Sequence, residues 1–348
     1  MHNSKGVIRH KWIDIYKGLL IFFVILGHLT IPQHLYNFIF IFHMYAFFFI
    51  SGITFNLKKE QTFGNLLIQN VKSLYIPYLF FAFAWNVTNI VTQLYLGNSF
   101  DFSAWGIVKN IASVIIGTGV FDSTASIGPA WFLLALFFVR ITCWLILKIG
   151  KEQIWVFGVV SLAFFAVGYY VNGYSFLPFK LCSSFTCYIF VFVGYCCKTI
   201  YVRVKNIGVH LKLLGILIAY GIALIMSIIA DKSLILVSNT LPSNPVVVIV
   251  GGLAGCFGTL CLSVILENIN ILSSCFAFWG ANSLIIMGVH SEINFALRLL
   301  LEEILGIPSV YLAFIILILT LIIVIPICTV FNTYFPFLTG KRKVEEQS

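Results

Sequence analysis

Apolar runs of bilayer-spanning length recur along almost the whole chain, and they decide what it can fold into. They fall at about 13–31, 35–55, 74–96, 129–149, 153–171, 183–201, 212–230, 246–266, 275–297 and 309–331. Each is close to the roughly 17 to 25 residues that a membrane helix requires. Only 9% of residues are charged, against about 25% in soluble proteins. The expected fold is therefore all-α: a polytopic bundle of about ten transmembrane helices. Little chain is left for a soluble domain of ordinary size, so residues 1–348 are expected to form a single membrane domain with short tails at about 1–11 and 339–348.

The net charge of +9 does not point to nucleic acid, because the basic residues sit in short loops, where they orient helices. With a cytoplasmic N-terminus, fifteen of the Lys and Arg fall on the inner side: Lys5, Arg9, Lys11, Lys58, Lys59, Lys72, Lys148, Lys151, Lys198, Arg203, Lys205, Lys212, Lys341, Arg342 and Lys343. Only Lys109, Lys180, Lys232 and Arg298 fall outside. Both termini are thus expected in the cytoplasm. No cleaved signal peptide is expected: the first run is long, carries ionisable residues and leads into Pro32-Gln33 rather than a small-x-small site. The nine cysteines show no C-x-x-C pair and read as small core hydrophobes, although a Cys182 to Cys187 bridge at a membrane edge is a conceivable exception. No metal is expected. One outer connection, 97–128, is long and contains a mildly amphipathic stretch at 105–116 suited to the membrane surface, as a lid, an acceptor platform or a packing element.

The first span, IDIYKGLLIFFVILGHL, carries Asp14, Lys17 and His28. At ~100° per residue Lys17 and His28 return to within ~20° of each other, with Asp14 ~60° and ~40° away, so the three share one stripe. Polar stripes in membrane helices normally face a wet cavity or a partner. The competing structural account is an Asp14/Lys17 pair near the end of the span, with Lys17 reaching out to the interface. His43 and His290 are expected at the same level as His28, in the outer half of the membrane, and histidine is the side chain best suited to proton transfer near neutral pH. Ser283 and Asn294 fall on the His290 face and could orient its ring. A permanent cation, Lys17, some ~16 Å nearer the cytoplasm than His28 suits a ligand with an anionic head and a long arm, the form of a coenzyme A thioester. Arg140, in the middle of WFLLALFFVRI, offers a second phosphate contact.

These residues, in this order, resemble the acyltransferase 3 group of integral-membrane O-acyltransferases. The family's first-helix pattern, Lys or Arg, ten residues, then His, is matched by Lys17 and His28. Further similarities are FHMYAFFFISG from Phe42 to Gly52, Tyr75-Ile76-Pro77-Tyr78, GPAWFLLALF from Gly128 to Phe137, and GANSLIIMGVH from Gly280 to His290. The resemblance implies a ten-helix fold and acyl transfer from acetyl-CoA or a related thioester to a hydroxyl on an envelope glycan, a lipid-linked saccharide or a secreted molecule, in the bacterial cytoplasmic membrane. The chain resembles the stand-alone members without an added hydrolase-like domain.

The mechanism expected from these readings places CoA against Lys17, Asp14 and Arg140, and makes His28 the general base. His43 or His290 would orient it or donate to the oxyanion, and Ser51 is a weaker donor candidate. Ser51, Ser283 and Trp131 are candidates for substrate contact. Two other classes compete: a transporter or flippase of an envelope precursor, with Lys, Asp and His as a proton relay, and a sensor or scaffold, against which the costly polar stripe argues.

Overall fold

The computed structural model describes residues 10–56, 62–118, 121–122, 125–174, 177–306 and 309–339. Most of both expected tails, and Lys5, Arg9, Lys58, Lys59, Lys341, Arg342 and Lys343 of the expected charge bias, lie outside the described residues. The structure is helical, and among the described residues no strand forms beyond one isolated bridge between Ile235 and Thr240. In order, the helices are α1 (Lys11–Gly27), α2 (Gln33–Phe40), α3 (His43–Thr54), α4 (Phe63–Asn70), α5 (Ile76–Tyr95), α6 (Ala104–Ile116), α7 (Trp131–Ile149), α8 (Ile154–Tyr170), α9 (Leu181–Phe185), α10 (Tyr188–Cys196), α11 (Ile200–Asn206), α12 (Val209–Ile229), α13 (Pro245–Leu266), α14 (Asn270–Ala281), α15 (Ser283–Arg298) and α16 (Ser309–Tyr334). Among the described residues seven helices are long and apolar enough to cross a membrane, or eight if the segment Pro178–Phe185 and α10, bent by 61°, form one span. The expected runs 13–31 and 153–171 correspond to α1 and α8, of 17 residues each. Large apolar side chains such as Leu217, Ile218, Ile225 and Ile228 of α12 are exposed, as a lipid-facing surface requires. This is a multi-pass membrane protein.

Several expected spans are broken, 35–55 into α2 and α3 and 183–201 into α9, α10 and α11 among them, and two breaks have a plain local reason. The first helix stops at Gly27 rather than continuing to residue 31: the His28 amide already shares the Val24 and Ile25 carbonyls, each at 3.2 Å, and a helix through Pro32 would drive the proline ring into the carbonyl of His28. The run 275–297 breaks at Asn282 (φ −112°, ψ 15°), so α14 and α15 are separate helices. Asn282 donates from its amide to the Phe278 carbonyl at 2.8 Å and accepts from Asn332 at 2.8 Å, which fixes the joint. A third irregularity is the wide turn Val71–Tyr75 between α4 and α5. Pro77 follows it, and since proline offers no N–H to the carbonyl four residues back, the looser turn absorbs the mismatch.

The centre of the bundle is α1 and α3. All but two residues of α3 are buried, the exceptions being Met44 and Thr54. Small residues let the central helices approach their neighbours closely, as is usual where lipid supplies no hydrophobic drive between helices. A Cβ on Gly280 of α14 would lie 1.7 Å from the Asp14 carbonyl oxygen, and one on Gly18 of α1 would lie 2.0 Å from the Phe276 carbonyl oxygen. The same backbone contact joins α3 to α10, where Cβ atoms on Gly52 and Gly194 would each fall 2.1 Å from a facing carbonyl oxygen. Tyr16 ties α1 to α13 by donating to the Cys256 carbonyl at 3.2 Å.

Gly280→Ala is therefore expected to push α14 off α1 and lower stability in detergent by about 1–3 kcal/mol, the usual cost of overpacking, whereas Gly208→Ala, with nothing within 4 Å, is expected to be neutral. Thermal melting of the two purified variants checks this.

Candidate active site

Two cavities lie along α1. The first, of about 330 Å³, is lined by Asp14 and Lys17 of α1, Ser51 and Thr54 of α3, Arg140 of α7 and Ser283 of α15, among others. Five of the expected site residues thus share one chamber. Thr339, just beyond α16, also lines it, so the two ends of the described chain come to the same end of the bundle.

The partners of Arg140 are the most telling feature of this chamber. Its Nε donates to Asn70 Oδ1 at 3.1 Å, one terminal nitrogen donates to Ser51 Oγ at 3.3 Å, and the guanidinium lies 5.6 Å from the centre of the Phe55 ring. Among the described residues no carboxylate pairs with it. Asn70 is held for the task, since its amide nitrogen donates to the Leu66 carbonyl at 3.0 Å, leaving Oδ1 for the arginine. The wide turn beginning at Val71 places Asn70 there, and nothing in the apolar pattern of the sequence signals it. Ser51 accordingly accepts from Arg140 and lines the Lys17 chamber, not the His28 cavity.

His28 occupies a second cavity of about 360 Å³, with Val24, Met44, Trp85, Ser126, Trp131, Lys180, Met287 and Ser291 among its walls. A side chamber of about 250 Å³ shares His28, Trp85 and Ser291 and extends past Asn294 to the Arg298–Glu302 ion pair and the apolar face of α16. Because α1 ends at Gly27, His28 caps the helix and is exposed to this space instead of lying inside a continuous span.

The structure brings His290 to His28, with ring centres 5.1 Å apart. His43 is set back: it is buried in protein, lines none of these three cavities, and meets the Phe40 ring at 4.8 Å, which in turn lies 6.4 Å from His28. Nδ1 of His43 is 2.9 Å from the Ile39 carbonyl, and Nδ1 of His290 is 2.9 Å and 3.1 Å from the Met287 and Ile286 carbonyls. A carbonyl can only accept, so Nδ1 carries the proton in both, and the neutral rings keep a bare lone pair at Nε2. That of His290 accepts from Ser291 Oγ at 3.2 Å. While neutral, neither histidine has a proton left to offer an oxyanion, which corrects that expected role. Ser283 and Asn294 do not orient His290 either. Ser283 lines the Lys17 chamber, and Asn294 Oδ1 accepts from Thr320 at 2.8 Å. This bond turns the Asn294 amide nitrogen away from Thr320, and that nitrogen is buried without a partner.

A cationic chamber, an imidazole in a second chamber and an unpartnered buried donor near it are the parts an acyl transfer requires. The acyltransferase 3 family model, described as an acyltransferase domain, matches residues 10–331. The chain belongs to that family. Comparison with curated proteins and with solved structures finds no match. Among the described residues of this acyltransferase no group of three metal-ligating side chains is found.

The described residues of the long connection 97–128 contribute Gly117, Thr118 and Ala125 to Gly128 to the wall of the His28 cavity, as its roof. Its helix, α6, buries Gly106, Asn110, Ser113 and Val114 while exposing Trp105, Ile107, Val108 and Ile111, so the polar face turns inward. Asn86 of α5 donates to Asn110 at 2.7 Å, and Asn110 donates to Asp122 at 2.8 Å. The Ser126 amide returns to Asn86 Oδ1 at 3.0 Å. Trp85 Nε1 donates to Ser126 Oγ at 2.9 Å, and the indole stands where a side chain on Gly128 (φ +47°) would go, since a Cβ there would lie 2.3 Å from a ring carbon. The roof segment therefore depends on side chains of α5 and α6.

Asn86→Leu removes the acceptor of the Ser126 amide. Hydrogen exchange at Ser126 is expected to speed up by about tenfold or more, the equivalent of losing one buried hydrogen bond, with the core of α3 unchanged. Equal exchange in variant and wild type would show that the network does not hold the roof.

Proposed function

We propose that this membrane acyltransferase transfers an acetyl group from acetyl-CoA to a hydroxyl of a cell-envelope glycan or lipid-linked saccharide, in a bacterial cytoplasmic membrane. The observation that carries the reading is Arg140: a guanidinium in mid-span with only neutral partners among the described residues, sharing a chamber with Lys17. A buried cation without a carboxylate is costly unless an anion answers it, and the phosphates of CoA are such an anion. Asn70 and Ser51 hold the guanidinium in a fixed orientation, and Lys17 adds a second charge at the chamber wall.

The Lys17 chamber would take CoA from the cytoplasm, and the His28 cavity would take the acceptor from the other side. His28 removes the proton of the acceptor hydroxyl as its oxygen bonds to the thioester carbonyl carbon. The oxyanion so formed needs a donor, and the amide nitrogen of Asn294, fixed by Thr320, is the candidate the geometry favours over His43 and His290. Collapse breaks the carbon–sulfur bond, and the His28 imidazolium returns its proton to the departing thiolate. The products are the acetyl ester and CoA thiol. His290, whose lone pair already engages Ser291, positions the His28 ring at 5.1 Å. Trp85 and Trp131 give the acceptor cavity aromatic walls of the kind on which sugar faces settle.

The test is label transfer from acetyl-CoA to envelope glycan in membranes carrying the protein. His28→Ala, inserted normally, is expected to lose about 10²–10⁴-fold in turnover, the range for removing a general base; near wild-type turnover would remove the base assignment. Lys17→Ala is expected to weaken donor binding while Lys17→Arg retains it, and equal affinity in all three proteins would take Lys17 out of the donor site. Uptake or efflux of an unmodified glycan precursor, with no label transferred, would favour transport instead.

A further inference from the structure

We infer that Met287 is the gate between the donor and acceptor cavities and sets the length of acyl group that can be transferred. The inference rests on the donor assignment above. Among the described residues, Met287 lines both the Lys17 chamber and the His28 cavity. The wall it belongs to is a single side chain thick. On α3, Met44 faces the His28 cavity and Phe47 faces the Lys17 chamber, three residues or about 4.5 Å apart along the helix. On α7 the consecutive residues Trp131 and Phe132 divide in the same way. On α15 one residue serves both sides.

The parts of this wall differ in how they can move. Phe47 and Phe132 are buried, with ring centres 5.2 Å apart at 53°, and Phe132 also packs on Phe48 at 5.2 Å, so each is a rigid ring held against another. Methionine is unbranched, with three rotatable bonds and a polarizable sulfur, and adapts to what is beside it. The chain has 35 Phe but four Met, and Met44 and Met287 both stand at this wall. The backbone of Met287 is anchored, because its carbonyl accepts from His290 Nδ1 at 2.9 Å; its side chain, as buried as Phe132, differs in having three single bonds about which to turn. A thioester whose phosphates sit by Lys17 and Arg140 must present its carbonyl carbon on the His28 side of the wall. The pantetheine arm therefore displaces the Met287 side chain on entering, and the carbons beyond the carbonyl occupy the space among Met287, Met44 and Val24.

The experiment uses full-length protein in lipid nanodiscs, with acetyl-, propionyl- and butyryl-CoA as donors, and compares wild type with Met287→Leu, Met287→Ala and Met287→Phe. Met287→Leu, similar in volume, is expected to keep the wild-type preference. Met287→Ala removes three heavy atoms from the wall and is expected to raise the butyryl-to-acetyl ratio of kcat/KM by about tenfold or more, since a hydrophobic pocket discriminates by roughly 10–200-fold per methylene. Met287→Phe is expected to lower kcat about tenfold for every donor while CoA affinity stays within about twofold, because the phosphate contacts are untouched. An unchanged donor ratio in Met287→Ala, in protein that melts like wild type, overturns the gate and leaves the donor reading standing. Absence of transfer from any of the three thioesters in wild type overturns both.

Discussion

An arginine halfway along a membrane helix costs about 3 kcal/mol even on the most lenient insertion scale, and much of this bundle is arranged around that cost. Arg140 is met by an amide oxygen, a hydroxyl and an aromatic face, each neutral. Neutral dipoles orient a guanidinium without cancelling its charge, so Arg140 and Lys17 bring two positive charges to a chamber whose described lining holds one carboxylate, Asp14. Placing those dipoles requires α3 to pass beside α7 at Ser51 and α4 to end in a wide turn at Asn70. The site is thus a property of how the helices are broken and packed.

The same economy governs α3. It is buried along its length except at Met44 and Thr54, and these two face the two cavities, one each. A central helix with two windows sets both cavities against the protein's interior. The close glycine contacts of α1 with α14 and of α3 with α10 serve that arrangement, because they hold the polar wall residues within reach of one another.

Much of this is legible in the chain. The apolar runs locate the helices, and the eleven-residue interval between Lys17 and His28 puts both on one stripe, in keeping with their positions in successive cavities along α1. Periodicity tells which face a residue occupies and roughly how deep it lies, but not which group it meets. Hence pattern alone sends Ser51 toward His28, whereas it bonds Arg140, and sends His43 into the site, whereas Phe40 stands in front of it. The protonated nitrogens of His43 and His290 follow from carbonyls one turn back on their own helices, a geometry that only coordinates reveal. Asn70, Trp85 and Met287 carry no pattern of their own. Pro32 and Pro77 do carry one: the first marks where a spanning helix stops and the second where one loosens into a wider turn, and those are where His28 and Asn70 reach their positions.

Everything proposed for the chemistry turns on one ligand threading both cavities, its anionic head beside Lys17 and Arg140 and its reactive end beside His28. A cryo-EM structure in nanodiscs with a non-hydrolysable acetyl-CoA thioether would show that path or its absence. The threaded path places phosphate density against Lys17 and Arg140, a displaced Met287 side chain, and the acyl carbonyl within hydrogen-bonding reach of His28 and Asn294. Nucleotide density outside the Lys17 chamber, or an acyl end that never passes Met287, would contradict it.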